Sequence, residues 1–254
     1  TRVTRFVKLE HTALSLPLVF SGAWLGQGGH MPHLTPLLLI ALAGTGARTF
    51  GMAMNRIADR RLDMLNPRTA LRDLPRGHMS LPQAIAVACG GVVLYLVACA
   101  LLGRVCLLLS PIPLVPLLGY SYLKRFTSLC HFGIGVCLAL GPLGAYVATS
   151  GGVDASPAIL LLALFTFCWV SAFDIIYALQ DIGSDRATGV HSLPARLGAA
   201  RAQMVAASVH LVAFASIAGV AWATGGGVLS WVCVTLAGLG LLLAYAPWMP
   251  LPAR

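Results

Sequence analysis

A chain of 254 residues that is 58% hydrophobic and 10% charged cannot cover a soluble surface, which takes about 25% charged residues. With a mean hydropathy of +0.84, it reads as an all-α polytopic transmembrane bundle, and the soluble globular classes are excluded. The formal net charge of +9 does not indicate nucleic acid, because its distribution follows membrane topology.

A membrane span takes about 20 mostly apolar residues. Eight stretches qualify, near 12–29, 34–54, 84–103, 105–122, 130–150, 156–176, 203–224 and 227–247. The first follows basic residues but shows no clear small-residue cleavage site, and seven more spans come after it, so it is not a signal peptide. The absent initial Met suggests an incomplete or processed chain. Arg2, Arg5 and Lys8 precede the first span, and Arg56, Arg60, Arg61, Arg68, Arg72 and Arg76 follow the second. Lys124 and Arg125 follow the fourth, and Arg186, Arg196 and Arg201 the sixth. The alternate loops carry no Lys or Arg apart from Arg104. By the positive-inside rule the N-terminus and every second loop are cytoplasmic. Prolines interrupt the fourth span at Pro111, Pro113 and Pro116 and the fifth at Pro142, which membrane helices tolerate when neighbours satisfy the freed carbonyls.

Two polar loops stand out, near 55–83 and 177–202. Each starts on the end of an apolar helix and passes a turn signal, Asn66-Pro67 or Thr188-Gly189, to a hydroxyl and an arginine. Thr69 with Arg72 and Ser192 with Arg196 form a weak internal repeat, and short helices are expected near 80–84 and 192–196. The seven cysteines lie mostly in apolar segments without a C-x-x-C pair and read as small buried hydrophobes. No H-E-x-x-H occurs among the histidines, and Gly44 and Gly46 read as helix-packing residues.

Only eight residues are acidic, and five form two clusters: Asp59 and Asp63, then Asp174, Asp181 and Asp185. "NRIADRRLD" spaces Asn55, Asp59 and Asp63 by four, and Tyr177, Asp181 and Asp185 repeat that spacing. Residues at i and i+4 share a helical face, where like charges repel. The plain explanation is local pairing with Arg56, Arg60, Arg61 and Arg186, and it suffices for one cluster alone. Two matched clusters on one side of the membrane favour Mg²⁺, whose remaining ligands are usually substrate phosphate oxygens and water. Tyr120 and Lys124, four apart, read either as an interfacial Tyr with a topological Lys or as part of that site. Arg48 lies within the second span, on roughly the face of Asn55. An intramembrane arginine lines a functional cavity by default, unless it serves an acidic partner such as Asp174.

"NRIADRRLD" and "DIIYALQDIGSDRATGVHSLPARLG" resemble the two Asp-rich motifs of the UbiA-type intramembrane prenyltransferases. "RFVKLEHTALSLPLVFSGAWLG" and "NPRTALRDLPRG" resemble its 4-hydroxybenzoate polyprenyltransferase branch, whose relatives include dihydroxynaphthoate-prenylating enzymes of menaquinone synthesis. The resemblance covers nearly the whole chain. It implies a helical bundle with a central cavity that opens laterally to lipid and lies under two cytoplasmic loops. It further implies Mg²⁺–diphosphate ligation by Asn55, Asp59, Asp63, Asp181 and Asp185. Asp174 and Tyr177 would line the cavity, Tyr120 and Lys124 would approach the diphosphate, and Arg72 and Arg196 would close over it. The implied substrates are polyprenyl diphosphate and an aromatic acid in a bacterial inner membrane, with Arg48 binding the acceptor carboxylate. Family members have nine spans. Here the eighth ends in "LLLAYAPWMPLPAR", so the single domain 1–254 is expected to lack the C-terminal span. The competing classes are a cation-binding membrane transporter, whose acids would sit near mid-bilayer, and a phosphatidyltransferase, whose D-G-x2-A-R signature is not found. A non-catalytic truncated relative is the third.

Overall fold

The structure, a computed structural model, describes residues 6–7 and 12–246. The basic residues Arg2, Arg5 and Lys8 and the proline-rich segment 247–254 lie outside the described residues. The described chain is helical: α1 (Thr12–Gly26), α2 (Leu34–Leu65), α3 (Leu81–Leu102), α4 (Arg104–Leu109), α5 (Pro111–Leu123), α6 (Cys130–Ser150), α7 (Pro157–Ala178), α8 (Ile182–Thr188), α9 (Leu193–Leu197), α10 (Ala199–Ala223) and α11 (Val228–Ala244). Among the described residues, six segments are long and apolar enough to cross a membrane, and Ser15–Gly26 and Val228–Ala244 are shorter apolar helices. Together they coincide with the eight expected spans. Large apolar side chains such as Leu108, Val115, Phe173 and Leu242 lie exposed on the outside. Such a surface calls for lipid rather than water, and the protein is a multi-pass membrane protein.

Two helices run on past their apolar segments, and this extension builds the site. α2 continues through "NRIADRRLD" to Leu65, where Asn66 turns extended (φ −99°, ψ 117°), as a residue before proline must. The Asp-bearing residues therefore stand on a helix rather than in a loop. After α7 a 3₁₀ turn (Leu179–Asp181) leads into α8, which Gly189 ends in the left-handed conformation (φ 70°). The short helix expected near 192–196 is α9. No separate helix occurs near 80–84. Ser80 caps α3 directly, accepting from the Gln83 N–H while the Gln83 side chain accepts from the Ser80 N–H, a reciprocal cap that starts the long helix at once.

α2 packs most extensively on α3, α7 on α10 and α6, and α1 on α6. Small residues permit the closest approaches, as expected where lipid supplies no hydrophobic drive between helices. A Cβ on Gly46 would stand 2.6 Å from the Tyr95 nitrogen, and one on Gly91 2.7 Å from the Phe50 nitrogen. Gly46 thus fulfils the packing role expected of it, whereas Gly44 faces open space. Pro142 does not break its span. α6 runs through it, and Gly22 of α1 sits against its backbone. Gly91→Ala is expected to cost about 1–3 kcal/mol by overpacking, read as a lower thermal midpoint in detergent. An unchanged midpoint would mean that the α2–α3 contact yields.

The cysteines are free: Cys99, Cys137 and Cys168 are buried, Cys106 and Cys130 half-buried, and Cys89 and Cys233 exposed.

Candidate functional site

The helical extensions bring both acidic clusters to one polar cavity of about 260 Å³. Asn55, Asp59 and Asp63 of α2 line it together with Asp174, Tyr177, Asp181 and Asp185 from α7 and the turn beyond. Tyr120 and Lys124 at the end of α5 and Arg72 of the first loop complete the set. Eleven of the twelve residues expected at the site are placed as follows: these ten here, and Arg48 in a neighbouring cavity. The twelfth, Arg196, does not line either cavity; its Nη1 donates to Ser128 Oγ at 3.2 Å.

The carboxylates are not neutralised by the arginines next to them in sequence. Lys124 Nζ donates to Asp59 Oδ2 at 2.6 Å, and Asn55 Nδ2 donates to the same oxygen at 3.0 Å. Arg72 Nη1 reaches both oxygens of Asp63, at 2.7 and 2.8 Å. Asp181 receives Arg68, whose Nη2 makes the shortest contact, and Asn66 Nδ2 at 2.8 Å. The bond to Asp181 raises the Arg68 guanidinium above its ordinary basicity. Arg56 is buried without an ion pair to either aspartate, and its Nη1 lacks a hydrogen-bond partner. Arg186 instead donates to the Ala195 carbonyl. The local-pairing explanation therefore fails in detail: the partners come from other helices and loops.

The weak repeat survives in part. Thr69 Oγ1 donates to the Asp63 carbonyl at 3.1 Å, while Ser192 Oγ donates to Asp185 Oδ2 at 2.7 Å and also caps α9. Each hydroxyl thus reaches back to the last aspartate of its cluster. The arginines differ, Arg72 binding Asp63 and Arg196 turning to Ser128.

Sequence reasoning missed three contributors. Arg68 spans the mouth, donating also to the Tyr177 hydroxyl at 3.0 Å. Asn66, read only as a turn residue, binds Asp181. His131, 3% exposed, has Nδ1 at 2.7 Å from Asp174 Oδ2, while its Nε2 accepts the Leu193 N–H at 3.3 Å. Since Nε2 accepts, Nδ1 carries the proton and donates to Asp174. Asp174 is thus His131's partner rather than Arg48's. His131→Leu is expected to loosen α9 and Asp174 together and lower the thermal midpoint, whereas His131→Asn, whose amide nitrogen can replace Nδ1, should recover part of the loss. Equal midpoints for the two variants would contradict this.

Beyond the polar cavity lies a second, larger one of about 370 Å³, lined mainly by apolar groups and by Arg48. Met52, Tyr120 and Ile134 line both and form the neck between them. Charged groups and an apolar hollow are thus stacked end to end.

The polar cavity presents five carboxylates against three cations, Lys124, Arg68 and Arg72. The carboxylates outnumber these cations, an acidic excess of the kind a divalent cation suits. Asp59 Oδ1 is buried and lacks a hydrogen-bond partner. Among the described residues no three His, Cys, Asp or Glu groups form a metal-holding cluster on their own. The residues therefore fit a Mg²⁺ whose shell is completed by phosphate oxygens and water.

Comparison with known proteins identifies the family and the fold. A family model described as the UbiA prenyltransferase family matches residues 15–250. A 4-hydroxybenzoate octaprenyltransferase of Nitrosomonas eutropha is 32% identical over 189 residues, covering 74% of this chain and 65% of the relative; the chain thus matches somewhat less than two thirds of that protein's length. The apo structure of a UbiA homolog from Aeropyrum pernix K1 superposes with a TM-score of 0.82 at 37% identity, covering 92% of this chain and 86% of that one. A UbiA homolog from Archaeoglobus fulgidus, solved bound to GPP and Mg²⁺, superposes with a TM-score of 0.72 at 18% identity, covering 100% and 91%.

Proposed function

Because the chain belongs to the UbiA prenyltransferase family, we propose that it transfers a polyprenyl group from polyprenyl diphosphate to the ring of an aromatic acid, with 4-hydroxybenzoate as acceptor. The observation that carries this reading is the stacking of a charged cavity on an apolar one through a common neck. A prenyl diphosphate has the same division: a highly charged head and a long apolar tail. The name of the Nitrosomonas relative supports the acceptor, and the ligands of the Archaeoglobus fold neighbour support the donor and the metal.

Asp59, Asp63, Asp181 and Asp185 would hold Mg²⁺, with Asn55 beside them. When bound, the metal supplies Lewis-acid stabilisation of the departing pyrophosphate. Lys124, Arg68 and Arg72 would exchange their carboxylate partners for diphosphate oxygens and stabilise the charge that develops on them. Tyr120, in the neck, marks the level at which the allylic carbon leaves its oxygen. The ring carbon ortho to the phenol bonds to that carbon, and the ring then loses its proton. Apolar walls keep water from the allyl cation. Asp174 and Tyr177 border the charged end, and Arg48, which lines the apolar cavity, would bind the acceptor carboxylate. The basic residues around the polar cavity support a cytoplasmic orientation in a bacterial inner membrane, with the product entering ubiquinone synthesis.

The test is transfer of label from a prenyl diphosphate to 4-hydroxybenzoate in membranes containing this chain, with and without Mg²⁺. Metal-dependent ring prenylation is expected. Failure with every aromatic acid of a panel would discard the reading. Arg48→Ala is expected to raise KM for the acceptor more than for the donor, and equal changes in both would remove the assigned role.

A further inference from the structure

Most wall positions of the apolar cavity carry bulky side chains, among them Tyr95, Leu102 and Leu138. Gly44 and Gly144 are different. Both line the cavity, and a Cβ built on either meets nothing within 4 Å. Other glycines are required by close packing, as Gly46, Gly91 and Gly22 are, but these two are not. Their backbone conformation does not demand glycine either, because both lie inside helices without positive φ. A glycine inside a helix costs roughly 0.5–1 kcal/mol relative to alanine. Here the missing side chain gains no packing contact, and both positions border the cavity, Gly44 half-buried and Gly144 exposed.

The two positions lie at similar depth. Gly44 stands eight residues from the neck residue Met52 along α2, about 12 Å at the helical rise. Gly144 stands ten residues from the neck residue Ile134 along α6, about 15 Å by the same rise. A donor with its diphosphate among the aspartates would send its tail through the neck toward this level. Short donors end before it and long donors must pass it.

We infer that Gly44 and Gly144 are specificity-determining residues that keep the apolar cavity open to long prenyl chains. The inference rests on the donor reading proposed above. A side chain at either position shortens the longest donor accepted without touching the diphosphate end.

The experiment compares wild-type protein with Gly44→Phe and Gly144→Leu in membranes, using dimethylallyl, geranyl, farnesyl and geranylgeranyl diphosphates with 4-hydroxybenzoate. Turnover is read together with binding of each donor. Each substitution is expected to lower kcat/KM for the longest donor by about tenfold or more relative to the shortest, in line with size discrimination by an apolar pocket. Gly44→Ala adds one methyl group to open space and should move the profile the same way by less, which keeps the question answerable if phenylalanine disturbs folding. An unchanged length profile in folded, active variants overturns the inference, and so does equal loss of all donors with pyrophosphate binding retained. Absence of wild-type turnover with every donor would instead strike the proposed function, while the binding profile would still test the two glycines.

Discussion

Asp59→Asn is expected to abolish most prenyl transfer while leaving the bundle folded. Asp59 is 2% exposed, and only Oδ2 is occupied, by Lys124 and Asn55. The other oxygen is buried without a partner, an arrangement a neutral amide tolerates at least as well as a carboxylate does. The substitution strands the Lys124 ammonium, but Lys124 is 26% exposed and can carry its charge to water. Stability should therefore change by no more than about 1 kcal/mol. Activity should fall by about a hundred- to a thousandfold, the usual effect of removing one group that stabilises developing charge, and part of it should return at raised Mg²⁺. Wild-type turnover in the folded variant would remove Asp59 from the site.

Lys124→Ala should have the opposite balance. It leaves a nearly fully buried carboxylate with Asn55 alone, and breaking such a pair costs about 2–4 kcal/mol. Activity should fall as well, because a cation facing the diphosphate is lost. The two effects separate in the double variant Asp59→Asn/Lys124→Met, which deletes both charges: its thermal midpoint should recover toward wild type while transfer stays lost. Recovery of activity along with stability would mean that the pair is a structural clip and no part of the reaction.

Much of the fold was legible because hydropathy is a local property. The apolar segments follow from runs of about 20 residues, and they survive in the structure as six long apolar helices and two shorter ones among the described residues. The ends of α2 and α7 were less legible. Hydropathy falls at Asn55 and Tyr177, so the polar segments read as loops, although arginine, leucine and alanine favour helix as well as apolar residues do. The helix stops only where Pro67 constrains Asn66.

At the site, the residue types that bind charge were visible, and the acidic spacing placed two clusters on two faces. Their partners were not visible, because pairing is a tertiary fact. Arg68 meets Asp181 across 113 residues, and Lys124 meets Asp59 across 65. A basic residue in a cytoplasmic loop has the same appearance whether it marks topology or fills a site. In the sequence Arg68 carries only a topological signal, and Arg196 is tied to the site only by the family resemblance. His131 gave no signal, since a lone histidine in an apolar segment lacks a pattern until Asp174 is folded against it.

In the proposed reaction both acidic clusters grip a single magnesium diphosphate. Calorimetric binding of inorganic pyrophosphate to the purified protein tests it most directly, with and without Mg²⁺, for wild type, Asp59→Asn, Asp181→Asn and the double variant. The account predicts Mg²⁺-dependent binding at one site, weakened by either substitution, with the double variant no weaker than the two losses combined and coupled through the shared ligand. Binding that ignores Mg²⁺, or that survives substitution of one cluster unchanged, would contradict it.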